Sequence, residues 1–321
     1  MVKKTVYTKK QIIDILSNYN IGVYVYHKIF PEGDVNTNIF LKTTKGKFAL
    51  RIYENKTAKQ IGPEIKLLNY LQKNKFPCPT PIPLRSNGYI LRYDDKEIVI
   101  YSFIDGKHFK ELTEIQLKNA AKHLAKLHNL TSKFRPKYFK IIEPNNISSV
   151  HNNIKLAKKL AKENNLDITS NVHFIQDRLS KIHIPSNLRK GICHGDPDWN
   201  NLLFSNNNLV GLIDFDWARD DILINDLNSY VGVFCFDNEK ELNYDRSKQI
   251  LDEYQKIRPL NGLEKKYFYD LFELNYIWWF SYKLTDEEHI KKYTSKLMPE
   301  AEPFKKFDKI NKTEFYHRLF E

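Results

Sequence analysis

Three polar residues stand at fixed offsets from two short apolar runs: Asp196 in His194-Gly195-Asp196, Asn201 just ahead of Leu202–Phe204, and Asp214 just after Leu209–Ile213. Between the runs, Ser205-Asn206-Asn207-Asn208 has the composition of a hairpin turn. With that turn centred on Asn207-Asn208, Asn201 and Asp214 are equally far from it, and antiparallel pairing predicts them side by side, about 5 Å apart at Cβ. An amide oxygen and a carboxylate so placed suit one hard cation such as Mg²⁺. Asp196, on the loop at the same end of the hairpin, is then a general base beside a metal pair, as phosphoryl transfer requires. The alternative is a surface hairpin with solvated acids. The fixed offsets of three polar residues from two apolar strands favour the catalytic reading.

The elements that must position these residues are readable by period. Lys10–Tyr19 has helical spacing, and Val23–Phe30, Ile39–Thr44 and Phe48–Tyr53 read as strands, the first two joined by the polar segment Glu32–Asn38. A helix is predicted to open near Pro63 and run to Lys73. Its Glu64 shares the buried face with Leu67, Leu68 and Leu71, where a carboxylate needs a cationic partner, and Arg51 is the obvious one. Snorkelling of Glu64 to solvent is the other possibility. Pro77–Pro83 must be extended, and Tyr89–Tyr93 with Glu97–Ile104 form a hairpin around Asp94-Asp95. After Gly106 the pattern turns helical: Thr113-x-x-Gln116 is a capping box, and further helices are expected over Ser148–Asn165 and Asn171–Ile182. The chain reads as α+β, with domains 1–104 and 105–321.

His-Gly-Asp-x-x-x-x-Asn followed by Ile-Asp-Phe resembles the catalytic and metal-binding motif of aminoglycoside-phosphotransferase-like kinases, cousins of protein kinases. The resemblance implies a bilobal protein-kinase-like fold, with a small antiparallel-sheet N-lobe for nucleotide and a larger, mostly helical C-lobe for catalysis and substrate. It makes Asp196 the base and Asn201 and Asp214 the Mg²⁺ ligands, and gives His194 the part of bracing the loop. Arg51 falls where such kinases carry a phosphate-binding lysine, with Glu64 as its partner, and a guanidinium can grip phosphate in bidentate fashion. Glu97–Phe103, continuing to Gly106, resembles the hinge whose backbone, at Ser102 and Ile104, hydrogen-bonds the adenine of ATP. Asp216 departs from the aromatic residue common after Ile-Asp-Phe.

Over nearly the whole chain the likeness narrows to the type of homoserine kinase built on this fold. It is carried by Gly33-x-x-Asn36-Thr37-Asn38, with Asn36 taken over as a nucleotide-site residue, and by Phe76-Pro77-Cys78-Pro79 and His123–His128. Ile257-Arg258-Pro259-Leu260, Trp278-Trp279 and Glu314–Leu319 add to it. The resemblance implies ATP-dependent phosphorylation of a small amino-alcohol, L-homoserine, in the cytoplasm by a monomer or homodimer. An antibiotic or choline-type O-phosphotransferase is the alternative, and a nucleotide-binding pseudokinase the non-enzymatic one. Arg246, Arg258 and Lys283 are candidate partners for the homoserine carboxylate.

Composition is consistent with this. The 321 residues carry a net charge of +12 with acids and bases interspersed, which favours an anionic ligand over a polycationic one; no nucleic-acid-binding pattern is present. The apolar runs are too short for a membrane span, no secretory leader is read at the N-terminus, and three scattered cysteines exclude a disulfide scaffold. A Gly-x-x-x-x-Gly-Lys-[Ser/Thr] loop is absent. Trp278, Trp279, Phe280 and Tyr282 could cage a quaternary ammonium, but their spacing with Leu271 and Leu274 favours core packing. Asp226 could brace the catalytic loop or cap a helix.

Overall fold

The structure, a computed structural model, describes residues 4–30, 35–134, 136, 144–237, 241–294 and 307–321; Gly33 and the rest of 31–34 lie outside them. The described residues divide into two compact units. One takes those of Met1–His108, Pro136 and Asn200–Asp216; the other takes the remainder. The hairpin 200–216, assigned by sequence to the domain 105–321, thus falls in the unit that contains the N-terminal sheet.

In the first unit α1 (Lys9–Ser17) is followed by β1 (Tyr24–Ile29), β2 (Thr37–Thr43) and β3 (Gly46–Tyr53), then α2 (Ala58–Lys73), β4 (Leu91–Tyr93) and β5 (Lys96–Ser102). The five strands form one sheet in the order β1-β2-β3-β5-β4, with every neighbouring pair antiparallel. Period-two alternation sends Ile39, Leu41, Leu50, Ile52, Ile98 and Ile100 into a core shared with Ile12, Ile15 and Leu16 of α1. Arg51, between Leu50 and Ile52, therefore faces the other side of the sheet, and its cross-strand neighbour on β2 is Asn38.

The helix predicted to open at Pro63 opens five residues earlier, at Ala58. Gln60 turns back to accept the Thr57 N–H at 2.9 Å, a capping interaction that outweighs the proline's preference for the first turn. Pro63 is left inside the helix, where it removes one backbone hydrogen bond. The stretch Pro77–Pro83 is extended as expected. Two of its three non-proline N–H donors, those of Thr80 and Ile82, tie it to Ser102 and Ile100 of β5.

The second unit is mostly helical: α3 (Glu114–Thr131), α4 (Ile147–Glu163), α5 (Thr169–Ser180), α6 (Ile224–Phe234), α7 (Tyr244–Gln255), α8 (Gly262–Lys266), α9 (Phe268–Lys283), α10 (Glu287–Thr294) and α11 (Lys312–Phe320). The capping box at Thr113 and Gln116 is present. Two short strands, β6 (Lys190–Cys193) and β9 (Arg219–Ile222), pair antiparallel and carry the His194 loop at the end of β6. In the first unit β7 (Leu202–Ser205) and β8 (Asn208–Leu212) make the hairpin. Among the described residues no helix is long and apolar enough to cross a membrane.

Candidate active site

The hairpin register differs from the expected one. The turn lies at Asn206-Asn207, with Asn206 in the left-handed region (φ 53°), and the ladder shifts between Leu203 and Phe204. Leu202 therefore faces Leu212, and beyond the ladder Asn201 accepts the Ile213 N–H at 3.0 Å. The residue opposite Asn201 is Ile213, one before Asp214. Composition placed the turn correctly to within a residue; a bulge at Val210 is decided by packing and leaves no local mark.

Asp214 itself leaves the strand. Its φ of 63° is left-handed, a conformation that costs an L-residue of order 1 kcal/mol or more and persists where surrounding contacts hold it. Its carboxylate is 39% exposed and lies 3.3 Å from Arg51 Nη1. Arg51 is the hub of this unit's polar cluster. The same nitrogen lies 3.8 Å from Glu64 and 3.4 Å from Asp216, while Nε donates to Asn38 Oδ1 at 3.0 Å. The expected Arg51–Glu64 pair thus exists, and Glu64 is buried rather than snorkelled. Tyr53 donates to Glu64 at 3.1 Å and shares a 2.7 Å hydrogen bond with Tyr101. Burial, then the Asp216 charge, push the Glu64 carboxyl up to about 8 against the opposing pull of Arg51 and Lys56. Asp216 is held below the usual range: burial opposes its ionisation, but Arg51 and Lys56 outweigh it.

Asp216 was not among the candidates from sequence, yet it binds Asn36 Nδ2 at 2.6 Å and Lys56 at 3.1 Å. Its only signal was its departure from the aromatic residue common there. Asn36 is buried at the edge of this cluster, and its Oδ1 has no partner among the described residues. At Ser102 the backbone is half engaged: its N–H donates to Thr80 O at 2.8 Å and its hydroxyl accepts the Thr80 N–H at 2.9 Å. That N–H is not available to a purine, because the proline-rich connector, short of donors, takes β5 as its partner. Ile104 lies over Gly211, where an added Cβ would come within 2.8 Å of its Cδ1.

Asn201 is buried at the end of a single 3₁₀ turn, Trp199–Asn201. With Asp214 it offers oxygen donors only, the chemistry that a hard divalent cation selects. The residues present fit Mg²⁺.

In the second unit Asp196 follows two buried or half-buried residues whose backbone is pinned. Asp226, fully buried on α6, accepts the N–H of His194 at 2.5 Å and of Gly195 at 2.8 Å. It is the third residue of α6 and braces the loop; Leu223 occupies the cap. Gly195 has φ 88°, and a Cβ there would meet Trp217 O at 2.1 Å, so no other residue fits between His194 and Asp196. His194 is fully buried, and its Nδ1 accepts the Asp196 N–H at 3.3 Å. The base expected from sequence is therefore presented by a rigid turn.

Arg258 is not a free carboxylate partner. It is buried against Glu264 at 2.6 Å and Tyr254 at 3.2 Å. Arg246 is likewise engaged, by Phe234 O at 3.1 Å and Asp237 at 3.0 Å. Lys283 sits over the Trp279 ring, 5.3 Å from its centroid. Trp278 and Tyr282 stack 5.4 Å apart, and both meet Trp217 edge-on at 6.4 and 5.6 Å. These rings are half-buried to exposed, so this part of the aromatic run is not core.

An antiparallel sheet bearing Arg51, a helix beside it bearing Glu64, a helical second unit, and His-Gly-Asp ahead of an Asn…Asp hairpin together define a kinase-like phosphotransferase. Residues 27–260 match the phosphotransferase enzyme family, and the chain belongs to that family as an ATP-dependent small-molecule kinase acting on a hydroxyl. A homoserine kinase of Bartonella tribocorum is 29% identical over 78% of this chain and 77% of its own. A homoserine kinase of Methylobacterium nodulans is 30% identical over the same shares, 78% and 77%. In fold, the chain is similar to the amicoumacin kinase hAmiN, solved in complex with AMP-PNP, Ca²⁺ and Ami, with a TM-score of 0.71 over 98% of this chain and 97% of that one, at 13% identity.

Proposed function

We propose that this chain transfers the γ-phosphoryl group of ATP to the hydroxyl of L-homoserine, giving O-phosphohomoserine and ADP in the cytoplasm. The likeness to relatives named homoserine kinase, over more than three-quarters of both chains, carries the choice of acceptor. The Arg51–Glu64–Asp214 cluster supports the phosphotransfer chemistry. Asp196 orients the acceptor hydroxyl and takes its proton as the oxygen attacks phosphorus. Arg51, held by Glu64 and Asn38, binds the phosphate oxygens of ATP, and Asn36 lies on the same nucleotide-binding face. Asn201 and Asp214 would hold Mg²⁺, which when bound neutralises the β/γ-phosphates. The Ile104 backbone is the hinge donor to adenine, with the Ser102 carbonyl beside it.

Homoserine is a zwitterion, so its site needs a cation for the carboxylate. With Arg258 and Arg246 committed inside the fold, Lys283 is the candidate that the structure favours. A screen of L-homoserine, its amide, choline and kanamycin as acceptors tests the proposal. L-homoserine should be at least about tenfold better than kanamycin in kcat/KM, a difference of about 1.4 kcal/mol. Equal turnover of the amide would remove the carboxylate site and, with it, homoserine. One observation favours a second reading: the Trp217–Trp278–Tyr282 cluster suits a quaternary ammonium. Choline outperforming homoserine in the same screen would select it.

A further inference from the structure

The carboxylate expected to bind the metal, Asp214, is ion-paired with the guanidinium expected to bind phosphate. For Asp214 to take a cation, Arg51 must be held by something else. Glu64 is more distant, at 3.8 Å, and is shared with Tyr53. Asp216 meets the requirement. It sits two residues along in a 3₁₀ turn (Phe215–Trp217), mostly buried, and its two oxygens divide the work. One accepts the Asn36 amide at 2.6 Å, which fixes the carboxylate; the other lies 3.4 Å from Arg51 Nη1 and 3.1 Å from Lys56 Nζ.

We infer that Asp216 is a positioning residue that holds Arg51 and Lys56 in place, so that Asp214 can exchange its guanidinium partner for a divalent cation. The inference rests on the proposed metal and phosphate roles of Asp214 and Arg51. The physical basis is competition. Opposite charges within 4 Å in a half-buried setting attract by several kcal/mol before desolvation is counted, so a guanidinium left with one strong acceptor blocks that acceptor. With Asp216 present the guanidinium has a second acceptor at nearly the same distance, and releasing Asp214 costs little. Asp216 also keeps a second cation, Lys56, beside Arg51, where an incoming triphosphate gains both. Asn36 acts through Asp216 rather than on the nucleotide directly.

The test is a double-mutant cycle read by Mn²⁺ binding, with free Mn²⁺ followed by electron paramagnetic resonance in the absence and presence of AMP-PNP. Asp216→Asn should weaken Mn²⁺ binding at least tenfold. In an Arg51→Met background, where nothing competes for Asp214, the same substitution should cost no more than about threefold. An equal loss in both backgrounds would mean that Asp216 acts only through its general negative charge, and an unchanged affinity in the single mutant would mean that it does not act at all. Either overturns the inference. Should Asp216→Asn fail to fold, Asp216→Ser, which also removes the charge, carries the same cycle. Asp214→Ala separates the two possible failures. If it leaves Mn²⁺ affinity unchanged, the metal assignment falls and this inference with it; if it weakens binding while the cycle is flat, only the role of Asp216 is lost.

Discussion

His128 Nε2 and Asp226 Oδ2 lie 3.1 Å apart with both side chains fully buried, and Asp226 is the same carboxylate that pins the backbone of His194 and Gly195. Tyr254 hydrogen-bonds the other ring nitrogen at 2.6 Å, and the hydroxyl donating there fixes the neutral Nε2–H form. The geometry of the catalytic loop thus depends on a neutral imidazole bonded to an ionised carboxylate.

Acid should undo this pair in two stages. Burial, opposed by Asp226, holds His128 below its ordinary 6.5, so the unfolded chain binds the proton first and stability falls as pH drops below 6.5. Asp226 is held below its ordinary 3.8, burial being outweighed by the His128 hydrogen bond with help from the Arg219 charge, so its contribution is present above 3.8 and drains as pH falls through its depressed value. Urea midpoints measured between pH 8 and 5 should decline for the natural chain and flatten for His128→Gln. A decline of equal slope in the variant would assign the acid sensitivity elsewhere.

Asp196→Asn should lower kcat at least about a hundredfold while ATP binding survives, because general-base contributions are of that size. Single-turnover kinetics and equilibrium nucleotide binding separate the two effects. Near-normal turnover would exclude Asp196 as the base.

Gly195→Ala should destabilise the fold by about 2 kcal/mol or more, since the residue needs φ 88° and a Cβ would run into Trp217 O. Whatever protein folds should show kcat depressed more than KM for ATP, because the loop it distorts carries Asp196. Thermal unfolding with no loss of stability would contradict the packing seen at this turn.

Removing Arg258 should cost stability rather than acceptor recognition. Arg258→Ala removes one of the two arginines paired with the buried Glu264; Arg189 stays on the other oxygen, so the loss should fall below the about 3–5 kcal/mol typical of a buried charge left with no partner. Arg258→Met should be milder, because it refills the volume, and its KM for homoserine should stay within threefold of normal. A selective rise in that KM would return Arg258 to the substrate site.

How much was legible beforehand depends on how local each cause is. The strands of the N-terminal sheet, the face of α2 that buries Glu64 and the capping box of α3 follow from period and spacing, which neighbouring residues alone set. The motif residues Asp196, Asn201 and Asp214 were identifiable by type and offset. Tertiary structure decided the rest. Pro63 predicts a helix start because its own preference is local, whereas the capping of Thr57 by Gln60 pulls the start forward. Ser102 lost its donor to a connector whose prolines leave few other bonds. Asp216, marked in the sequence only as a departure from the motif, and Lys56 meet Arg51 because the β7–β8 hairpin packs in the same unit as β3 and α2. Their partners are distant in sequence, and short-range ionic and hydrogen-bonding forces act only once the backbone has brought them within a few ångströms.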